Sequence, residues 1–172
     1  MARSRIYMKI FYILTLLIPA IGLTPVNAQD KVEAGDKAYD FIGYDEAGSK
    51  IRLSDFEGDK YVLLNFTATA CAPCWKTYLP MNEMQEKYVD QLKVISIHWD
   101  DAKEQWDNIA ENIGLEFKCT SLWEVNDKNL LSDVYQIDGW PYFFLIDKDG
   151  YVVEKWFGHK KRKLKRTLKK HL

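Results

Sequence analysis

The chain has 172 residues, 47% of them hydrophobic, which suits one globular domain with its own core. Its 24 basic and 25 acidic residues nearly cancel but are unevenly placed. Arg3, Arg5 and Lys9 open the chain, and Lys160 to Leu172 hold eight basic residues and no acid. The body between them carries 13 basic against 25 acidic residues, a net of −12, which argues against a nucleic-acid partner.

An apolar run from Ile10 to Leu23, interrupted by Pro19 and Gly22, follows the basic start. Val26-Asn27-Ala28 then offers the small residues that a signal peptidase reads. Residues 1–28 are therefore predicted to be a secretory signal peptide and 29–172 the exported domain. An uncleaved anchor is the alternative, although the run is shorter than the ~20 residues of a spanning helix. Asp40 to Ser54 reads as two short strands around the turn Asp45-Glu46-Ala47-Gly48, and Leu53 to Phe56 as a short helical turn.

Tyr61 to Phe66 reads as a buried strand, and Trp75 to Met81 begins a helix that continues past Met84. Cys71-Ala72-Pro73-Cys74 lies where the strand hands over to that helix. Unpaired N–H groups at a helix start carry the positive end of its dipole. A thiolate there is stabilised, so the pKa of Cys71 is expected below the free value of ~8.5. Cys74 faces the same side of the helix and can close a disulfide. Pro73 is tolerated in the first turn, whereas Pro80, deeper in, removes a helix hydrogen bond. Half of a zinc site is one alternative, but Cys119, His98, His159 and His171 supply no second close pair. A structural bridge is another, but so short a loop restrains the unfolded chain little. A redox pair is the favoured reading.

Leu92 to Ile97 reads as the next strand. Asp101 and Glu104 have the spacing of a capping box, and Ala102, Trp106, Ile109, Ala110 and Ile113 mark one face of a helix that Gly114 ends. Strand, helix, strand implies a parallel crossover, whose active sites lie at the C-terminal ends of strands. His98, Trp99 and Asp100 stand at such an end, and either approach the cysteines or form a solvated strand end. Cys119 lies in a stretch without a clear assignment, as a buried apolar-like thiol or an exposed resolving or dimer-forming one. Leu130, Leu131, Val134 and Tyr135 mark a short helix. Gly139-Trp140-Pro141 leads into a strand from Tyr142 to Ile146, and Asp147 to Gly150 turns it into a second from Tyr151 to Trp156. Leu164, Leu168 and Leu172 line one side of a basic helix over 158–172. Such a helix either closes the fold with a solvated basic face or contacts an anionic membrane surface or acidic partner.

From Ala34 to Phe157 these pieces resemble the thioredoxin superfamily, in its TlpA/ResA-like branch of extracytoplasmic thiol–disulfide oxidoreductases. The resemblance rests on Gly35 to Phe41, Leu53 to Lys60, the strand ending Leu64-Asn65-Phe66, the Cys71–Cys74 motif and Gly139-Trp140-Pro141 before Phe143 to Gly150. It implies an α/β thioredoxin fold, a central mixed sheet flanked by helices, with an added N-terminal β-hairpin. It implies that Cys71 attacks, Cys74 resolves, Pro141 is cis, and the backbone of Trp140 pairs with an extended substrate. No metal or organic cofactor is expected. The implied partners are cysteine-containing envelope proteins and a membrane thiol-transfer protein that resets the pair. The implied task is disulfide reduction in the periplasm or an equivalent extracytoplasmic space, with cytochrome c assembly as one setting.

The chain departs from the family at three places. Ala70 stands where many relatives carry Trp, so Trp75 or Trp140 is expected to supply the missing wall of the substrate site. Asn65 replaces the buried Asp of thioredoxin, and Thr77 stands where some relatives carry Glu. The local sequence therefore shows no carboxylate to move a proton at Cys74. A peroxiredoxin-like peroxide reductase is one alternative, although Ala68 occupies the place of its Thr or Ser. A thioredoxin-fold peptide-binding module or chaperone without turnover is the other.

Overall fold

The computed structural model describes residues 31–172, so the leader predicted over 1–28 lies outside the described residues. In chain order the elements are β1 (Ile42–Tyr44), β2 (Lys50–Arg52), a 3-10 turn (Leu53–Phe56), β3 (Tyr61–Thr67), α1 (Ala72–Lys87) and β4 (Leu92–His98). They continue as α2 (Lys103–Asn112), β5 (Thr120–Leu122), β6 (Glu124–Val125), α3 (Lys128–Tyr135), β7 (Tyr142–Ile146), β8 (Val152–Phe157) and α4 (Lys161–His171).

β3 is the central strand. It runs parallel to β4, in register from Tyr61↔Leu92 to Thr67↔His98, and antiparallel to β7 on its other side. β5 extends the parallel side and β8 the antiparallel side, giving the mixed order β5-β4-β3-β7-β8. Side chains alternate across this sheet. Val62, Leu64, Phe66, Ile95, Ile97, Phe144 and Ile146 pack on one face with Leu131, Val134 and Tyr135 of α3. Leu63, Val94, Phe143, Leu145 and Trp156 pack on the other with Tyr78 and Met81 of α1, Trp106 of α2 and Leu164 and Leu168 of α4. A strand covered on both faces reads as a continuous apolar run, as Val62 to Phe66 does except at Asn65.

The predicted hairpin forms, with Asp45 Oδ1 accepting the N–H groups of Ala47 (3.0 Å) and Ser49 (2.7 Å) in its turn. It gains a third strand that the sequence reading lacked. β6 pairs antiparallel with β1 and completes the small sheet β2-β1-β6. Two residues are too few to show a period, so β6 is visible only in its pairing. Gly43 lets β1 approach, since a Cβ there would lie 2.8 Å from Leu122 Cδ1.

The Asp101 capping box does not form. Ala102 is the N-cap of α2, no side chain caps it, and the Asp101 carboxylate instead reaches Lys128 Nζ at 3.2 Å. An exposed ion pair competes here with a cap of similar modest worth. Trp106 and Ala110 face inward as predicted, but Ile113 lies just beyond the helix and is exposed. α1 runs through Pro80.

α4 closes the α1 face. Its apolar stripe is consumed by packing, with Leu164 and Leu168 buried, while Lys163 pairs with Glu154 at 2.8 Å and Lys165 with Glu83 of α1. Lys161, Arg162, Arg166, Lys169 and Lys170 face solvent. Leu168→Ala is expected to cost about 2–5 kcal/mol of unfolding free energy through lost burial and the cavity left behind. Urea unfolding of the variant beside wild type checks this.

Candidate active site

The site grows from the C-terminal end of β3. Ala68 and Thr69 are buried, and the chain turns there, with Cys71 N–H donating to Ala68 O at 3.1 Å. Cys71 is the N-cap of α1, and Pro73 sits in the first turn. Cys71 and Cys74 form a disulfide. The Cys74 N–H points at Cys71, 3.2 Å from its Sγ and 2.9 Å from its carbonyl oxygen. The two cysteines are unequally exposed: Cys71 is half-buried and Cys74 is buried. Cys71, the less buried of the two, caps α1 at the positive end of the helix dipole.

Trp75 lies one residue beyond the pair. Its ring stacks on Trp106 at 4.0 Å, and its indole N–H donates to Thr69 O at 3.0 Å. The structure thus commits Trp75 to holding the turn before Cys71. Trp140–Pro141 is a cis peptide bond, as the resemblance implied. The β3–β7 register, Phe66↔Tyr142, carries Pro141 to the sheet end from which the cysteine turn departs. The Trp140 side chain packs towards the α3-side core, leaving its backbone beside the proline. Phe157, exposed, lies beside Tyr142 with ring centroids 5.9 Å apart, an aromatic neighbour of Pro141 that the sequence reading did not single out.

Beneath α1, the sheet presents neutral polar groups. Asn65, Thr67 and Ser96 are buried, and Asn65 Nδ2 donates to Ser96 Oγ at 3.3 Å. The Tyr78 hydroxyl faces Thr67, Ser96 and Asn65, and burial pushes its pKa up, so it stays protonated. Thr77 donates its hydroxyl to Cys74 O at 2.6 Å. Cys119 Sγ lies 3.6 Å from Ser96 Oγ, and burial raises its pKa to about 11. Cys119 is half-buried, and its raised pKa keeps it in the less reactive thiol form. Among the described residues no group of three His, Cys, Asp or Glu side chains is arranged to hold a metal ion.

The strand-end residues divide. His98 is buried, stacked on Trp123 at 3.8 Å and edge-on to Trp106 at 4.4 Å. Burial, helped by the charges of Lys128 and Lys103, lowers its pKa to about 3. Asp100 turns to the cysteine segment and accepts both the Thr69 N–H (2.6 Å) and the Thr69 hydroxyl (2.9 Å).

A strand-end, helix-start disulfide whose first cysteine is the less buried, with a cis-proline at the same sheet end, suits dithiol chemistry, and known proteins agree with it. The thioredoxin-like family matches the chain over residues 58–152. The thiol-disulfide oxidoreductase ResA of Bacillus thuringiensis (strain Al Hakam) is 33% identical over 99% of this chain and 98% of its own length. The chain belongs to the thioredoxin-like thiol–disulfide oxidoreductases. ResA of Bacillus subtilis (strain 168) is 31% identical to this oxidoreductase over 83% of the chain and 79% of the relative. Among solved structures, a DsbE thiol:disulfide interchange protein from Chlorobium tepidum superposes with a TM-score of 0.70 at 29% identity, covering 82% of this oxidoreductase and 99% of that chain. The thioredoxin domain of a thiol-disulfide oxidoreductase from Bacteroides vulgatus gives 0.68 at 26% identity, over 81% and 98%.

Proposed function

We propose that this oxidoreductase reduces disulfides in exported proteins, with Cys71 as the attacking thiolate and Cys74 as the resolving thiol. The observation that carries the assignment is the difference in access, Cys71 half-buried and Cys74 buried. The Cys71 thiolate attacks a substrate disulfide, forming a Cys71–substrate bond and releasing one substrate thiolate. Cys74 then attacks the Cys71 sulfur, closing Cys71–Cys74 and releasing the second. Two electrons pass to the substrate, and a redox partner must return them. The backbone of Trp140 beside Pro141 would pair with the extended substrate, and Trp75 would line the approach.

The compartment reading rests on the sequence of the leader and on the ResA relatives; no helix among the described residues is long and apolar enough to cross a membrane. Disulfide chemistry suits an extracytoplasmic space. The partner that resets the pair would be a membrane thiol-transfer protein, and cysteines of apocytochrome c are one candidate substrate class. The solvent-facing basic row of α4 offers charge, without a free apolar face, for contact with an anionic surface or an acidic partner.

The direction of electron flow is tested by the reduction potential of Cys71–Cys74, read by equilibrating the exported domain in graded thiol buffers and trapping free thiols. A reductant is expected near the value of thioredoxin, about −270 mV. A value near about −120 mV would instead make the protein a disulfide donor.

A further inference from the structure

The Thr67↔His98 register of the parallel ladder brings Asp100 opposite Thr69, and Trp99 N–H continues the ladder by donating to Thr67 O at 2.9 Å. Beyond that point a side chain takes over from the backbone. Asp100 accepts from Thr69 N–H at 2.6 Å and from Thr69 Oγ1 at 2.9 Å, while Trp75 Nε1 donates to Thr69 O at 3.0 Å. Every backbone and side-chain polar group of Thr69 is thereby engaged, from the segment just after β4 on one side and α1 on the other. Hydrogen bonds to an ionised carboxylate are among the stronger ones. The Trp75 end is itself anchored, because its ring stacks on the fully buried Trp106.

Thr69 lies two residues before Cys71, inside the turn that presents Cys71 Sγ to the Cys74 N–H. In the oxidised protein the disulfide holds that sulfur. In the dithiol form that bond is gone, and the turn before Cys71, with the first bond of α1, keeps the sulfur near the Cys74 N–H.

We infer that Asp100 is a positioning residue for thiol exchange: through Thr69 it holds Cys71 over the Cys74 N–H in the reduced protein. The inference rests on the assignment of Cys71 as the attacking thiolate. It goes beyond charge, because Asn at position 100 can keep both contacts, its amide oxygen accepting the Thr69 N–H and its NH₂ donating to Thr69 Oγ1. Ala can keep neither.

The test uses the reduced exported domain with Asp100→Ala, Asp100→Asn and Thr69→Val. Two quantities are read: the pH midpoint of Cys71 alkylation, with the labelled cysteine assigned by mass spectrometry, and the rate of reduction of a small disulfide. Asp100→Ala is expected to raise the midpoint and slow exchange about tenfold, the order of loss that small misplacements of a reacting group produce. Asp100→Asn is expected to match wild type within about threefold, a margin small against that loss. A fall of the midpoint by the same amount in both Asp100 variants would show that the charge acts directly and overturn the inference. An unchanged midpoint and rate in Asp100→Ala would overturn it too. If Asp100→Ala does not fold, Thr69→Val decides: a raised midpoint with slower exchange supports the clamp, and wild-type behaviour overturns it. Labelling of Cys74 instead of Cys71 in wild type would show that the role assignment itself had failed.

Discussion

Cys71→Ser is expected to abolish disulfide reductase turnover, with activity falling on the order of a thousandfold or more, to the uncatalysed background. The reason is chemical: a serine hydroxyl at the same place has no thiolate to offer and cannot form the mixed disulfide. Cys74→Ser is expected to lose turnover as well, but differently. Cys71 would still attack, and the Cys71–substrate disulfide would persist because no buried thiol follows to resolve it. Mass spectrometry after mixing with an oxidised peptide separates the cases, an adduct in Cys74→Ser and none in Cys71→Ser. An adduct on Cys74 in the Cys71→Ser variant would reverse the roles. Binding of substrate without turnover that survives loss of both thiols would instead support a peptide-holding module. Cys119 is not expected to substitute for either thiol, since its raised pKa, about 11, keeps it protonated.

Acid is expected to destabilise the fold through His98. Its folded pKa is lowered to about 3, below the ordinary value, chiefly by burial. Above an unfolded pKa of ~6.5 the imidazole is neutral in both states, and stability is unaffected. As pH falls below that value the unfolded chain takes up a proton that the folded chain does not, so stability declines. The loss is about 1.4 kcal/mol per pH unit until the folded pKa is reached. It totals on the order of 5 kcal/mol, a large share of the 5–15 kcal/mol of an ordinary domain. Lys128 and Lys103 add to the penalty on the charged form. His98→Phe would keep an aromatic ring against Trp123 and Trp106 while removing the titration. Urea unfolding at several pH values is expected to show a flatter acid limb in that variant. Equal slopes for both proteins between about pH 6.5 and 3 would rule out His98 as the source.

Both expectations involve residues that the sequence displayed in different ways. The Cys71–Cys74 pair was legible because its chemistry is local: a strand, a helix start and two thiols one turn apart need no distant partner to be recognised. The X-Pro before β7 was legible for the same reason, although its pairing with the cysteines came from resemblance. His98 was not legible. Its neighbours Trp106 and Trp123 lie on α2 and just past β5, and a histidine at a strand end carries no local sign of burial.

The sequence by itself determined the period of the longer strands and helices, the place of the redox pair, the hairpin turn at Asp45 and the helical stop at Gly114. These follow from the order of apolar residues and from turn chemistry within a few residues, which folding preserves. Tertiary structure alone decided which cysteine of the pair is the less buried, that the Leu164 and Leu168 stripe is spent on packing, that Glu124 and Val125 form a strand, and that Asp101 leaves its cap for Lys128. It also decided that Asp100 reaches Thr69, since that contact depends on the register between two parallel strands joined by a whole helix. Such register is set by how the two sheet faces pack, and no window along the chain contains it.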